Sequence, residues 1–243
     1  MDPKLYLQMR EIEDEHWWFV GRRRIIGRVL SSLDLPEMPH ILDVGCGTGG
    51  NLPLLSEFGK VTGVEPNDSA AEMTLARQAA KVIKGSLPDD MPFSAQTFDL
   101  IVLLDVLEHI DDELSSLMLL KSLLVPNGYL VLTVPAFPFL WSQHDEQNHH
   151  KRRYRVSTLA YVIQEAGLKI EYLTYYNTWL FPIAAVVRLA RRLFPSKEIG
   201  SDMWLPGSLL NKIFQAVFSS ESHFIGWARM PFGLSLLAIV RKV

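Results

Sequence analysis

Apolar positions along the chain follow two alternating rhythms. Short, nearly continuous apolar runs bounded by glycine, proline or polar clusters read as strands. The longer stretches between them, with apolar residues recurring every three or four positions, read as helices. On this pattern a first helix spans about 9–33, followed by a strand at His40–Val44 and a helix over Leu52–Phe58. Lys60–Val64 is a strand, Ser69–Ala80 a helix with Asp68 or Ser69 as its N-cap, and Lys81–Lys84 a short strand. Phe98–Leu104 is almost unbroken in apolar character, as expected of a strand covered on both faces. Asp112–Leu124 is helical, and Pro126-Asn127-Gly128 turns the chain into a strand at Tyr129–Val134. Val156–Ala166 and Lys169–Tyr176 add a helix and a strand, and Gly233–Val240 is the last β-rich run. Such alternation implies βαβ crossovers, and hence an α/β fold with a doubly wound, mostly parallel sheet of seven strands.

The spacing divides one domain, 1–243, into four parts: an N-terminal helical lid (1–35), a core (38–176), a helical insertion or cap (177–232) and a final strand (233–243). The insertion holds two amphipathic candidates, Pro182–Phe194 and Ser208–Phe218. In the first, Arg188, Arg191 and Arg192 share one helical face, with Ile183, Val186, Val187 and Ala190 largely opposite. A basic amphipathic helix can rest in a membrane interface, so a membrane-surface contact through 182–194 is one reading; packing on the protein or a second subunit is the other. The apolar run Trp179–Val187 is far short of the roughly 20 residues that span a bilayer.

Composition changes this picture little. With 48% apolar and 21% charged residues the chain is globular, not disordered. A single cysteine, Cys46, cannot form an internal disulfide, and the acidic amino terminus lacks the apolar run of a secretory signal. The expectation is a cytoplasmic protein, peripheral at the membrane if the insertion binds it. Charge is segregated: residues 1–149 carry a balance of −11 and residues 150–243 one of +8, which suits an anionic partner for the later part.

The chemistry is concentrated in Ile41-Leu42-Asp43-Val44-Gly45-Cys46-Gly47-Thr48-Gly49-Gly50, a strand running into a glycine-rich turn at a helix start. Glycines let the backbone turn sharply and approach a ligand, and the free N–H groups favour carboxylate or phosphate. Gly45, Gly47 and Gly50 also satisfy the G-x-G-x-x-G of nicotinamide-binding proteins, with Glu65 where a ribose-binding acid belongs. Asp43 separates the two readings. A carboxylate there can help hold the ammonium of an amino-acid ligand, whereas a pyrophosphate would be repelled by it.

Asp43–Gly49 resembles the first motif of the class I S-adenosylmethionine-dependent methyltransferases. Val61–Pro66, Phe98–Ile110 and Leu124–Leu132 agree with later motifs in order and spacing, so the resemblance covers roughly 38–176 and points to the branch acting on small molecules. It implies S-adenosylmethionine as cofactor. It also implies roles: Asp43, Gly45, Cys46, Gly47 and Gly49 against the methionine part, Glu65 and Pro66 at the ribose, Ser86 and Leu87 around adenine, and Leu104 and Asp105 near the amino end.

Methyl transfer to a hydroxyl or amine needs a base, and the candidates are His109, His144 and His150, the last two in a cluster with Asp145 and His149. Arg152, Arg153 and Tyr154 in the same segment suit an anionic or hydroxylated acceptor, and Trp18, in Glu15–Arg24, reads either as an aromatic against the ligand or as helix packing. The spacing matches no metal motif, and no metal is expected. No Asn/Asp-Pro-Pro-aromatic motif for base amines is present, so a nucleic-acid partner is not expected. The expected activity is methyl transfer to oxygen or carbon of a small-molecule or lipid-linked acceptor. The rivals are a non-catalytic S-adenosylmethionine-binding partner protein and a nicotinamide-dependent oxidoreductase.

Overall fold

Seven strands in the order β3-β2-β1-β4-β5-β7-β6 form one sheet. They are β1 (His40–Val44), β2 (Lys60–Val64), β3 (Lys81–Ile83), β4 (Phe98–Leu104), β5 (Leu124–Pro135), β6 (Lys169–Tyr176) and β7 (Ser235–Arg241). The first five are parallel, and β7 enters antiparallel between β5 and β6. The computed structural model describes residues 3–193 and 205–243, with side chains over 5–190 and 205–243. The assignment of Arg191 and Arg192 to a helical face, and the expected end at Phe194, lie outside the described residues.

The helices are α1 (Pro3–Ile12), α2 (Trp17–Leu30), α3 (Leu52–Ser56), α4 (Asp68–Leu75), α5 (Glu113–Leu123), α6 (Gln143–Gln147), α7 (Val156–Glu165), α8 (Phe181–Leu193) and α9 (Ser208–Ser220). They cover two apolar layers, one on each sheet face. Leu103, Leu132 and Val134 lie in the layer with α5 and α7, and Leu100, Val102 and Val131 in the layer with α2, α3 and Phe218 of α9. Central strands buried on both faces explain why Phe98–Leu104 shows no polar alternation.

Three expectations need correction. The helix over 9–33 is two helices: the chain breaks at Glu13–His16, where the His16 side chain accepts from the Trp18 N–H and caps α2. The helix after β2 is capped by Asn67, whose side chain accepts from the Ala70 N–H, and it ends at Leu75 rather than Ala80. Finally, Pro126-Asn127-Gly128 is absorbed within β5, whose pairing with β4 slips in register between Phe98 and Leu100. Among the described residues no helix is long and apolar enough to cross a membrane.

Candidate functional site

The loop after β1 lies at the carboxyl edge of the sheet, where open α/β sheets bind ligands. Gly45 and Gly49 have φ of +71° and +80°, and a Cβ on either would come within 2.7 Å of Val106 or Thr74 respectively, so both conformation and space require glycine. The Gly45 and Cys46 N–H groups donate to Val64 O, and Thr74 Oγ1 of α4 donates to Gly47 O at 2.6 Å. Cys46 is buried, which pushes its thiol pKa up and leaves it inert.

Glu65, buried directly after β2, faces this loop. Its Oε2 accepts from the Gly47 N–H at 2.9 Å, and its Oε1 accepts from the Asn67 N–H at 3.0 Å, with the Tyr6 hydroxyl of α1 at 3.5 Å. Burial raises its pKa, and these donors work against that rise. Pro66 is exposed beside it. Ser86 pairs with Asp90 through both backbone hydrogen bonds, at 2.7 and 3.0 Å, and Leu87 packs against the core, so the segment expected to enclose adenine is a closed turn next to β3.

Beneath the loop lies a buried charge group. Asp43 is 1% exposed; burial pushes its pKa up to about 7, opposed by the nearby Arg22 guanidinium. Arg22 of α2 forms an ion pair with Asp105 and stacks over the Trp18 ring at 4.4 Å. Asp105, directly after Leu104 at the end of β4, has φ +57°, an uncommon conformation for a side-chain-bearing residue, and its N–H donates to Thr133 O at 3.0 Å. Asp43 Oδ2 and Arg22 Nε find no hydrogen-bond partner among the described residues. Two opposite charges with spare capacity, one acid and one base, suit a zwitterionic amino-acid group.

Arg22 was not anticipated as a site residue. Its partner is 83 positions away, and only the approach of α2 to the sheet edge reveals it. The adjacent tryptophans diverge as helix geometry requires: Trp18 turns to Arg22, while Trp17 packs on Phe214 and Phe218 of α9.

On the far side of Asp105, Glu108, His109 and His150 converge. Their ligand-type atoms lie within 4.8 Å of one another, a grouping that positions 108, 109 and 150 do not announce as a motif. Glu108 is buried, which drives its pKa well above the carboxylate range, helped by the Asp105 charge. His109 is pushed down to about 3, first by burial and then by the neighbouring His150. Burial thus favours the neutral form of both side chains, the protonated acid of Glu108 and the free imidazole of His109. His150 is different: its Nδ1 lies 2.8 Å from Asp145 Oδ1, leaving Nε2 toward Glu108. Asp145 also receives Arg153 Nε at 2.7 Å; these hydrogen bonds outweigh burial and hold its pKa below the usual range. His144 sits nearby in α6, with its ring 6.0 Å from that of His150.

Arg153 and Tyr154, expected as acceptor contacts, are both buried. Arg153 is locked between Asp145 and Ala136 O, and the Tyr154 hydroxyl donates to Glu113. Arg152 pairs with Glu113 and with Asp111 O on the outer rim. Arg152 and Tyr154 fasten the loop to α5, and Arg153 ties it to α6 and the end of β5.

The sequence pattern of the family described as "Methyltransferase domain" matches residues 19–173. An uncharacterized methyltransferase of Schizosaccharomyces pombe is 35% identical over 106 residues, covering 37% of this chain and 38% of that protein. A ubiquinone biosynthesis O-methyltransferase of Vibrio vulnificus is 26% identical over 226 residues, covering 79% of this chain and 93% of the relative. Of solved structures, a chain from the complex between the Haloferax volcanii Trm112 methyltransferase activator and a methyltransferase aligns with a TM-score of 0.65. At 16% identity, covering 98% and 94% of the two chains, it shows the shared fold.

Proposed function

This chain belongs to the methyltransferase-domain family, whose cofactor is S-adenosylmethionine, and on that premise we propose that it methylates a hydroxyl oxygen of a small-molecule or lipid-linked acceptor. The observation that carries the cofactor assignment is Glu65: a buried carboxylate held at the mouth of the glycine loop by the Gly47 and Asn67 N–H groups. A carboxylate has the acceptor capacity to take a ribose diol while keeping those two donors. Asp43 and Arg22 fit the ammonium and carboxylate of the methionine part, because each keeps a buried atom without a partner. A dinucleotide pyrophosphate would face Asp43 instead, which counts against the nicotinamide reading.

When bound, the cofactor supplies a methyl group activated by its sulfonium. The chain's own residues do the rest. Asp105 and Arg22 brace the floor of the site, and Trp18 and Tyr6 cover it from the lid. His150, oriented by Asp145 through Nδ1, takes the acceptor's proton at Nε2; His109, whose pKa burial pushes down to about 3, holds a proton too weakly for that role. Oxygen is favoured over carbon because a positioned base is what a protonated hydroxyl requires, and the Vibrio relative carries an O-methyltransferase name.

Calorimetric titration with S-adenosylmethionine and its demethylated product tests the reading. Micromolar binding that Glu65→Ala weakens at least tenfold, about 1.4 kcal/mol, is expected. Absence of binding by both ligands in folded protein would falsify it.

A further inference from the structure

We infer that the outward face of α8 and the aromatic residues beside it form a docking surface for an anionic lipid bilayer. This rests on the proposed methyl transfer and narrows its acceptor to a lipid-borne molecule.

The helix is turned inside out relative to an ordinary surface helix. Ile183, Val186, Val187 and Ala190 fall on one stripe and point to solvent, with Ile183 at 60% and Val186 at 67% exposure. The side facing the protein is the one bearing Arg188, Ala184 and Ala185, all only partly exposed. Water gives no reason to present β-branched residues outward while drawing an arginine inward; an apolar medium does. The patch extends beyond the helix. Trp179, just before α8, contacts Phe224, which contacts Trp227, 71% exposed, and Phe181 leads to the exposed Phe232. The Trp227 indole N–H donates to His223 O, so its polar end is satisfied while its ring stands free of the fold. Exposed indoles next to an apolar helical stripe are what the boundary between headgroups and acyl chains accepts.

Charge selects the lipid. Residues 177–232 carry six Lys/Arg against three acids, and one of those acids, Glu221, is buried capping the Thr178 and Trp179 N–H groups. No acid lies within α8, which carries Arg188, Arg191 and Arg192. An anionic headgroup layer complements this excess.

Position completes the argument. Trp179 follows the carboxyl end of β6, and Phe139 and Phe137, which links to Phe181, follow that of β5. The apolar rim therefore borders the same sheet edge as Asp105 and Glu65, and a chain seated on a bilayer through it keeps its acceptor side next to the lipid.

The test is co-sedimentation of the full chain with vesicles of phosphatidylcholine alone and of phosphatidylcholine mixed with phosphatidylglycerol, alongside light scattering in their absence. Expected is binding to the mixed vesicles, a blue shift of tryptophan emission, and at least tenfold weaker partitioning for the double variant Ile183→Asp/Val186→Asp. Both positions are exposed, so that variant folds and keeps its cofactor affinity by calorimetry. Equal partitioning of wild type and variant overturns the proposal. So does a wild-type dimer that the variant converts to monomer, which would assign the stripe to self-association. Loss of cofactor binding in wild type would sink the methyl-transfer reading while leaving the vesicle result intact.

Discussion

Asp43 links burial to binding through a proton. In the cofactor-free fold its pKa is pushed up to about 7 by burial. A raised folded pKa means the protonated form is favoured. The contribution to stability is complete below the unfolded value near 3.9 and is lost as pH rises through about 7. An ammonium placed beside the carboxylate pulls that pKa back down. Cofactor binding at about pH 6 should therefore release protons, seen as a calorimetric enthalpy that changes with the buffer's ionisation enthalpy. Asp43→Asn should bind more weakly, with no buffer dependence; an unchanged dependence would remove Asp43 from the ammonium site. Asp145 has the opposite sign. Its pKa is held low, so its contribution is present above about pH 4 and is lost as pH falls through the folded value. Asp145→Asn leaves Arg153 buried without its carboxylate, and urea denaturation at neutral pH should show a loss of about 3–5 kcal/mol. The sequence places Asp43, Glu65 and Asp105 because each ends a strand with a recognisable pattern. It cannot show Arg22 or the Asp145–His150 orientation, which depend on how distant segments meet.

Between helices the decisive contact is a side chain at the break the apolar pattern missed. Glu13 ends the first helical stretch and dives under the loop. Its carboxylate accepts from Thr48 Oγ1 at 2.7 Å and from Arg77 Nη2 at 2.6 Å, while its carbonyl accepts from Arg23. Arg77 also donates to Thr48 O, so lid, glycine loop and the residue after α4 share one network. The periodicity across 9–33 is continuous because Glu13, Asp14 and Glu15 look like solvated helix residues. What breaks the helix is the attraction between a buried Glu13 and Arg77, which is invisible locally. Glu13→Ala should destabilise the fold by about 1.5–3 kcal/mol, because Arg77 loses its buried carboxylate and keeps only the exposed Asp14 and Thr48 O as partners, and Glu13→Gln should lie between. Denaturant midpoints at constant slope would measure it; a loss under about 1 kcal/mol would mean the lid is held by its apolar contacts instead. The strands, by contrast, were legible in number and order, since burial on both faces writes itself as apolar runs, although β5 begins five residues before its run.

At the scale of the whole molecule, the site is a chain of charges contributed by separate segments. Arg22 comes from the lid, Asp43 from β1, Asp105 and Glu108 from the end of β4, and Asp145, His150 and Arg153 from the loop after β5. None of the three main pieces holds its part of this group without the others, so cofactor binding should tighten the fold as a unit. At a ligand concentration 100 times Kd, linkage supplies about 2.7 kcal/mol. For a chain of this size that corresponds to a rise in Tm of roughly 5–11 °C. Thermal melts with S-adenosylmethionine should show that rise for wild type and much less of it for Glu65→Ala at the same concentration. They should also move as one transition. A biphasic melt in which only one phase shifts would mean that lid and core bind and unfold separately, and the single-unit account of the site would fail.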